Sequence, residues 1–261
     1  MTERLKAVIL AGGLGTRIRE ETEYKPKPMV TIGERPILWH IMKAYAHYQV
    51  TDFVLCLGYK GDVIRDYFLQ YELRHRDVTL TLGSRDIEVH KGHLETGWKI
   101  TLAETGVATQ TGGRLKRAAA YLDGERFMLT YGDGVADVDI TALAAFHRKH
   151  GKLATVTAVR PSSRFGELLI QDGLVEIFQE KPQVHSGWIN GGFFIFERKV
   201  LEMLQGDDET LEAGLLPRLA QAKQLAVYQH PGFWQCMDTF REMKMLNDLW
   251  SAGKAPWAVW R

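Results

Sequence analysis

The residues of this chain best suited to chemistry lie in "LAGGLGTRIREETEYKPKPMV", Leu10 to Val30. Three glycines and three cationic residues follow an apolar run. The glycines are Gly12, Gly13 and Gly15, and the cations are Arg17, Lys25 and Lys27. A glycine turn exposes backbone N–H groups to an anion, and nearby cations offset the repulsion between its charges. The alternative is a plain turn with solvated cations, the commoner meaning of a single glycine-rich turn. The grouping of several cations here favours a polyphosphate site.

The spacing of these glycines excludes two well-known phosphate motifs. It is neither the G-x-G-x-x-G of dinucleotide-binding folds nor the G-x-x-x-x-G-K-[ST] of P-loops. A nicotinamide-dependent dehydrogenase is therefore a distant alternative. What remains is a glycine turn at the carboxyl end of a strand, where open α/β sheets bind their ligands.

Two aspartates that lie far apart in the sequence each follow an apolar segment. Asp133 lies in "YGDG" after an apolar run, and Asp238 ends a second apolar segment, "FWQCMD". Mg²⁺ takes one or two protein carboxylates and completes its shell with phosphate oxygens and water. Asp238 could instead cap the helix that starts in "TFREMKM", because aspartate is a favoured N-cap residue. Both roles are open for Asp238.

The elements that must position these residues alternate between strand and helix. The runs "KAVILA" and "DFVLCLGY" predict buried strands, and each precedes a segment of helical period, "PILWHIMKAYAHY" and "GDVIRDYFLQY". This order predicts a parallel sheet with crossover helices. Residues 77–105 differ, because "VTLTL", "DIEVH" and "KITLAET" alternate polar and apolar positions. We expect a small antiparallel insertion there.

The second half of the chain resumes the same rhythm. Helices are predicted in "GGRLKRAAAYL" and in "DITALAAFHRKHG", the latter between an N-cap at Asp139 and a stop at Gly151. Strands are predicted in "RFMLTYGD", "LATVTAV" and "INGGFFIFER", with a hairpin turning at Asp172 and Gly173. Two helical segments follow, and a C-terminal helix and tail occupy about 238–261. No linker separates these parts, which predicts one domain over 1–261.

Composition narrows the class of protein. Thirty-three Lys and Arg against 32 Asp and Glu leave a net charge of +1, which gives no support to a nucleic-acid or membrane-surface partner. The two cysteines have no metal-like spacing and predict reduced residues in a cytoplasmic protein. The pairs His90–His93 and His147–His150 have no third ligand, so we expect surface histidines rather than metal sites.

Several motifs together resemble those of the sugar-1-phosphate nucleotidylyltransferases. In chain order they are "AGGLGTRIREETEYKPKPMV", "TGGRLKR", "TYGDGVADVDI", "FGEL", "FQEKP", "INGGFF", "PGFWQCMDT" and "GKAPW". They extend from about Lys6 to Trp257 and are most similar to the branch of that family that acts on glucose 1-phosphate and CTP. The resemblance implies an α/β, Rossmann-like nucleotidyltransferase fold, with a mixed, mostly parallel central sheet flanked by helices.

The resemblance also implies where the substrates bind. The implied nucleotide-binding residues are Leu10, Ala11, Gly12, Gly13, Gly15, Thr16, Arg17, Lys27, Thr111, Gly112, Gly113, Arg114 and Asp133. The implied sugar-phosphate residues are Glu180, Lys181, Asn190, Gly191 and Gly192, and the implied Mg²⁺ ligands are Asp133 and Asp238. Arg17 and Lys27 are the implied catalytic residues, since their charges suit phosphate oxygens. The Gly112 and Gly113 backbone and the Arg114 side chain would read the pyrimidine edge.

The implied reaction joins CTP and glucose 1-phosphate into CDP-glucose and pyrophosphate with Mg²⁺ as cofactor. A sugar phosphate is about dianionic at neutral pH, so its attacking oxygen needs no general base. The absence of a G-x-S-x-G or Cys-His signature favours direct in-line displacement. Alternatives are the same chemistry with UTP, dTTP or another hexose phosphate, and a non-catalytic nucleotide-sugar sensor. The resemblance further implies a homo-oligomer, with a hexamer as the expected assembly.

Overall fold

The computed structural model describes residues 5–84, 86–90, 95–161, 167–171, 174–179 and 187–261. The strands are, in chain order, β1 (Lys6–Leu10), β2 (Thr31–Ile32), β3 (Arg35–Pro36), β4 (Asp52–Leu57), β5 (Val78–Thr81), β6 (Asp86–Val89), β7 (Lys99–Glu104), β8 (Arg126–Tyr131), β9 (Gly134–Ala136), β10 (Ala154–Val159), β11 (Glu167–Gln171), β12 (Leu174–Gln179), β13 (Ile189–Glu197), β14 (Leu225–His230) and β15 (Trp234–Cys236).

The helices lie between these strands. They are α1 (Arg19–Thr22), α2 (Ile37–His47), α3 (Gly61–Leu69), α4 (Tyr71–His75), α5 (Thr111–Ala118), α6 (Ile140–His150), α7 (Leu216–Gln221) and α8 (Phe240–Ser251). Short 3-10 turns occur at Thr16–Ile18, Lys27–Met29, Ala119–Tyr121 and Arg198–Met203, and a π-helical turn occurs at Leu211–Leu215. None of the helices in the described ranges is both long and apolar enough to cross a bilayer.

Seven strands form the central sheet, in the order β14-β10-β13-β8-β1-β4-β7. Strand β1 is parallel to both β4 and β8, and β4 is parallel to β7. Strand β13 is antiparallel to its neighbours β8 and β10. The predicted mixed, mostly parallel sheet is therefore confirmed.

Both faces of this sheet are covered, as a parallel sheet requires. Alternate residues of β1 enter different apolar clusters: Ala7 and Ile9 pack on the side of α2, whereas Val8 and Leu10 pack on the side of α5. All four side chains are buried. The short apolar run at the start of the chain is thus a central strand, and its carboxyl end delivers the glycine stretch to the edge of the sheet.

Two predicted helix boundaries are confirmed in detail. The Asp139 side chain accepts a 2.8 Å hydrogen bond from Ala142 N at the start of α6, and Gly151 ends that helix with a φ of 64°. The N-cap of α8 is Thr239, whose hydroxyl accepts from Glu242 N while the Glu242 carboxylate accepts from Thr239 N. The alternative role of Asp238 as the helix cap is therefore wrong, and its carboxylate instead accepts a hydrogen bond from Lys27.

The predicted insertion at 77–105 is only partly correct. Strands β5 and β6 form the expected antiparallel hairpin. Strand β7, predicted as a third antiparallel strand, instead pairs parallel with β4 inside the central sheet. It lies at the edge of the sheet and is partly exposed, which gives it the alternating pattern of a half-solvated strand. The polar–apolar alternation of β7 therefore predicts its exposure correctly and its direction wrongly.

The later hairpin has the predicted pairing, because β11 and β12 are antiparallel. Its proposed turn at Asp172 and Gly173 lies outside the described residues. The hydrophobic periodicity of the sequence does not predict strands β9, β14 and β15. Strands β9 and β15 are three-residue strands that pair only with each other, and three residues are too few to show a period.

Candidate active site

A cavity of about 510 Å³ opens at the carboxyl ends of β1, β7 and β8. The predicted site residues that line it are Leu10, Ala11, Gly12, Gly13, Gly15, Thr16, Lys27, Thr111, Arg114, Asp133 and Asp238. Residues that the sequence did not point to also line it, and they are Leu14, Pro28, Val107, Ala108, Thr109, Gln110, Tyr131 and Gly132. A single pocket therefore collects the glycine stretch and both aspartates.

Lys27 lies between the two aspartates. Its ammonium donates to Asp133 Oδ2 over 2.6 Å and also to Asp238 Oδ1. The lysine is 9% exposed and lies in the 3-10 turn Lys27–Met29, where proline on either side restricts the backbone. Burial alone would lower the pKa of Lys27, but the charges and hydrogen bonds of the two carboxylates outweigh burial and hold that pKa above its ordinary value.

A short antiparallel ladder brings the two aspartates together. Strand β9 begins directly after Asp133, β15 ends two residues before Asp238, and the two strands pair with Gly134 opposite Cys236. Met237 N extends the ladder by donating to Asp133 O over 2.8 Å. At the other end of β9, His230 Nε2 bonds to Asp137 Oδ1 at 2.7 Å. The aspartates are thus fixed through backbone pairing.

This donor set fits a divalent cation. Both carboxylates reach the same ammonium group, so both converge on one point beside the glycine stretch. In the described part of the chain, no group of three or more His, Cys, Asp or Glu residues could hold a metal by itself. Two carboxylates with the remaining positions open to substrate oxygens match the usual binding of Mg²⁺.

The glycine stretch keeps its backbone close to the cavity. Gly15 has a φ of +63°, and its carbonyl oxygen accepts from Ile18 N and from Thr22 Oγ1. Gly13 is exposed, and a Cβ there would meet no atom within 4 Å. The turn is therefore anchored at Gly15 and open at Gly13, as a loop that receives a ligand must be.

The role of "TGGRLKR" in reading the base stays a prediction, and in the structure its polar groups bind protein acceptors. The N–H groups of Gly112 and Gly113 both donate to the carbonyl oxygen of Glu209, at 2.9 and 3.2 Å. Arg114 as a whole residue is 4% exposed, and its guanidinium donates to backbone carbonyl oxygens and a threonine hydroxyl. Thr111 and Arg114 both line the cavity, Thr111 with a hydroxyl side chain. That hydroxyl donates to Glu212 Oε2 over 2.8 Å.

The predicted sugar-side residues at the start of β13 lie beside Tyr131, which lines the cavity. Asn190 Nδ2 lies 3.5 Å from Tyr131 Oη, and Asn190 Oδ1 accepts from Gly192 N at 2.8 Å. Gly192 has a φ of +80°, and a Cβ on it would lie 2.6 Å from the Tyr131 ring. Gly191 O accepts from the Trp234 indole. Asn190, Gly191 and Gly192 border the cavity without lining it.

Comparison with known proteins matches this arrangement to a family. The family model described as "Nucleotidyl transferase" matches residues 6–242. The chain belongs to the nucleotidyl transferase family. Among curated relatives, the glucose-1-phosphate cytidylyltransferase of Salmonella typhi is 53% identical over 257 residues, which cover 98% of this chain and 100% of that protein. The probable glucose-1-phosphate cytidylyltransferase of Bacillus subtilis (strain 168) is 46% identical over the same shares.

Solved structures of low identity share the nucleotidyl transferase fold. The inositol-1-phosphate CTP transferase from T. maritima superposes with a TM-score of 0.67 at 16% identity, covering 99% of this chain and 98% of that one. HddC from Yersinia pseudotuberculosis, complexed with GMP-PN, gives 0.67 at 23% identity, covering 94% and 99%. The predicted Rossmann-like nucleotidyltransferase fold is thereby confirmed.

Three further predicted site residues of this nucleotidyl transferase do not appear among those that line the cavity. Glu180 and Lys181 lie outside the described residues. The backbone of Arg17 lies in the 3-10 turn Thr16–Ile18, next to the cavity-lining Thr16. The roles of these residues stay predictions.

The cavity of the nucleotidyl transferase also has a wall that sequence reasoning missed. Residues 107–110 follow β7, and Tyr131 ends β8. Burial, and then the charge of Glu212, raise the pKa of the Tyr131 hydroxyl, which donates to that carboxylate. The available signal is position, because a loop after a central strand lies at the binding edge. The alternating pattern of β7, however, predicts a strand outside the central sheet.

The histidine prediction holds only in part. His90 is exposed, as expected, and His93 lies outside the described residues. His147 is 1% exposed, so the expectation of a surface residue is wrong for it. It bonds to Thr155 Oγ1 at 2.8 Å, and burial and the neighbouring His150 lower its pKa to about 4. His147 is a neutral core residue of the nucleotidyl transferase fold.

Proposed function

We propose that the protein transfers the cytidylyl group of CTP to glucose 1-phosphate, forming CDP-glucose and pyrophosphate. The observation that carries this choice of substrates is the 53% identity to a glucose-1-phosphate cytidylyltransferase over the whole of that relative. The convergence of Lys27, Asp133 and Asp238 beside a glycine turn supports the reaction class, because phosphoryl-type transfer depends on alignment and charge neutralisation.

In this proposal the glycine turn and the cations hold the triphosphate. Backbone N–H groups around Gly13 face its phosphates, and Arg17 and Lys27 neutralise the oxygens near the reacting phosphorus. Asp133 and Asp238 would hold Mg²⁺, which supplies further positive charge at the phosphates when bound. Lys27 is pre-placed for this work, because the two carboxylates fix its ammonium at the edge of the cavity.

The second substrate binds on the side of β13. Glu180 and Lys181 together with Asn190, Gly191 and Gly192 would hold the sugar phosphate. Its phosphate oxygen attacks the α-phosphorus of CTP in line, and the bond from that phosphorus to the bridging oxygen of pyrophosphate breaks. No residue has to remove a proton from the attacking oxygen, because a sugar phosphate is about dianionic at neutral pH.

A matrix of nucleotides and sugar phosphates tests the proposal. Purified protein with Mg²⁺ is assayed for pyrophosphate release with CTP, UTP, dTTP, ATP and GTP, each with glucose, mannose or galactose 1-phosphate. We expect the highest kcat/KM for CTP with glucose 1-phosphate. Equal or higher values with UTP or dTTP would refute the cytidylyl assignment. No release with any pair would leave the non-catalytic sensor. Sedimentation of the same sample tests the proposed homo-oligomer.

A further inference from the structure

A carboxylate from the second half of the chain lies against two residues of the cavity wall. Glu212 belongs to the π-helical turn Leu211–Leu215. Its Oε1 accepts a hydrogen bond from the Tyr131 hydroxyl, and its Oε2 accepts one from the Thr111 hydroxyl over 2.8 Å. Tyr131 ends β8, Thr111 begins α5, and both line the cavity. One side chain therefore bridges two parts of the wall that come from separate elements.

The hydroxyl of Thr111 fixes this carboxylate in place. Its single hydrogen is donated to Glu212 Oε2, and its oxygen accepts from Leu211 N over 2.8 Å. A hydroxyl has one donor and two acceptor sites, so the donor of Thr111 is fully used by these contacts. Thr111 thus holds both the side chain of Glu212 and the backbone directly before it.

The hydroxyl of Tyr131 keeps its capacity to accept. An ionised carboxylate only accepts hydrogen bonds, so the single phenol hydrogen points at Glu212 and the lone pairs of the oxygen face elsewhere. Asn190 Nδ2 lies 3.5 Å from Tyr131 Oη, which is longer than a usual N–H···O hydrogen bond. The oxygen of Tyr131 can therefore accept from a further donor, such as a hydroxyl group of a ligand.

Two contacts place this acceptor beside the start of β13. A Cβ on Gly192 would lie 2.6 Å from the Tyr131 ring, so the ring packs directly on that backbone. Asn190 Oδ1 accepts from Gly192 N at 2.8 Å, which holds the Asn190 amide next to the same hydroxyl. Asn190 and Gly192 are among the residues proposed to hold the sugar phosphate. A sugar offers several hydroxyl donors, and an acceptor at this place suits one of them.

We infer that Glu212 is a positioning residue for the sugar substrate. Its carboxylate takes the phenol hydrogen of Tyr131, so that the Tyr131 oxygen accepts a hydrogen bond from one hydroxyl of glucose 1-phosphate. Glu212 is not among the residues that line the cavity, and it acts through Tyr131. The inference rests on the proposed function, since it takes the ligand on this side of the cavity to be the sugar phosphate.

Analogues of glucose 1-phosphate in which one hydroxyl at a time is replaced by fluorine test the contact with Tyr131. Fluorine cannot donate a hydrogen bond, so we expect one analogue of the series to have a KM about tenfold higher in the wild type at saturating CTP. Tyr131→Phe removes the acceptor. It should raise the KM for glucose 1-phosphate about threefold to tenfold and should no longer discriminate against that analogue. Tyr121→Phe, at an exposed tyrosine, is the matched control and should keep the discrimination.

Glu212→Ala tests the positioning step. It removes both acceptor oxygens, so the Tyr131 hydroxyl can rotate and donate in other directions. We expect the same loss of discrimination as in Tyr131→Phe, and the double variant should be no worse than Tyr131→Phe alone, because the two residues act as one unit. Glu212→Gln keeps one acceptor oxygen and should recover part of the discrimination. Glu212 is exposed, so these variants leave the core intact, and Glu202→Ala at another exposed glutamate is the control.

The ribose of the nucleotide carries the other candidate hydroxyls, so the wild type and Tyr131→Phe are also compared with CTP and dCTP. If Tyr131→Phe changes only the preference between these nucleotides, the contact belongs to the nucleotide and the inference is overturned. Unchanged discrimination among the sugar analogues in Tyr131→Phe or in Glu212→Ala would overturn it as well. A wild type that releases no pyrophosphate would refute the proposed function alone, and calorimetric titration of the sugar analogues into protein with CTP and Mg²⁺ would then make the same comparison.

Discussion

The indole Nε1 of Trp234 donates a hydrogen bond to the carbonyl oxygen of Gly191 over 2.7 Å. Trp234 lies in β15, which pairs with β9 and so fixes Asp133 against Asp238. Gly191 lies at the start of β13, among the residues proposed to hold the sugar phosphate. One side chain therefore connects the proposed metal ligands to the proposed sugar site.

Trp234→Phe removes this hydrogen bond and keeps an aromatic ring. We expect the KM for glucose 1-phosphate to rise roughly threefold to tenfold with little change for CTP, because a neutral hydrogen bond contributes about 0.5–1.5 kcal/mol. Steady-state kinetics with each substrate varied in turn measures the effect. Trp98→Phe, a substitution of the same kind beside Phe53 and outside the cavity, should leave both constants unchanged. A CTP-selective effect of Trp234→Phe would contradict the assignment.

Asp133→Asn and Asp238→Asn test the proposed Mg²⁺ site. Each change keeps the shape of the side chain and removes a negative charge that the cation needs. We expect kcat to fall by at least about 100-fold and the Mg²⁺ concentration for half-maximal activity to rise. A titration with Mg²⁺ or Mn²⁺ at saturating substrates gives both quantities. The exposed Asp248→Asn serves as control, and near-normal activity in either test variant would remove that aspartate from the metal site.

Lys27→Met removes the cation that both aspartates share. We expect kcat/KM for CTP to fall by about 100-fold or more, as for other groups that stabilise transition-state charge. Lys27→Arg keeps the charge but places it differently, so we expect an intermediate loss. Lys25→Met is the matched control, since Lys25 pairs with Glu21 on the surface of the same stretch. Equal losses at the two lysines would argue against a special role for Lys27.

His40 makes stability depend on pH. Burial lowers its pKa to about 4, and the ring lies 2.9 Å from Ile32 O through Nε2 while Nδ1 accepts from the Trp257 indole. Its neutral form is needed in the folded state, so its contribution is present above the unfolded pKa of about 6.5 and is lost as the pH falls toward 4. The expected loss approaches about 3 kcal/mol at most.

Urea unfolding at several pH values between 7 and 4 measures this dependence. His40→Gln can keep the donor toward Ile32 and cannot titrate, so its free energy of unfolding should fall less steeply with decreasing pH. His147 contributes similarly to both proteins and does not affect the difference. Identical slopes in the wild type and the variant would show that His40 is not a source of acid sensitivity.

The elements that sequence could predict are those whose signals are local. The caps of α6 at Asp139 and Gly151 are chemical properties of single residues, and the burial of β1 follows from its unbroken apolar run. The glycine stretch and Lys27 lie within one such segment. Both could therefore be placed at the binding edge before any coordinates were at hand.

The rest depends on contacts between distant segments. The direction of β7 is set by its pairing with β4, and its own alternation carries no such information. Arg114 donates to carbonyl oxygens at or just after the ends of three other strands, and its own segment carries no sign of those partners. Asp238 is of a residue type that is favoured at helix N-caps. It is not the cap of α8, because Thr239 and Glu242 form the capping box there.

Strand β13 runs against its neighbours, and this reversal has a consequence for the evolution of the chain. A reversed strand begins where the strands beside it end, so Asn190 enters the same edge at which β8 finishes. The glycine stretch and the walls after β7 come from the first half of the chain, and the proposed acceptor side comes from the second. Exchange of the sugar partner can therefore proceed by changes around the start of β13 while the glycine stretch and the walls after β7 are kept.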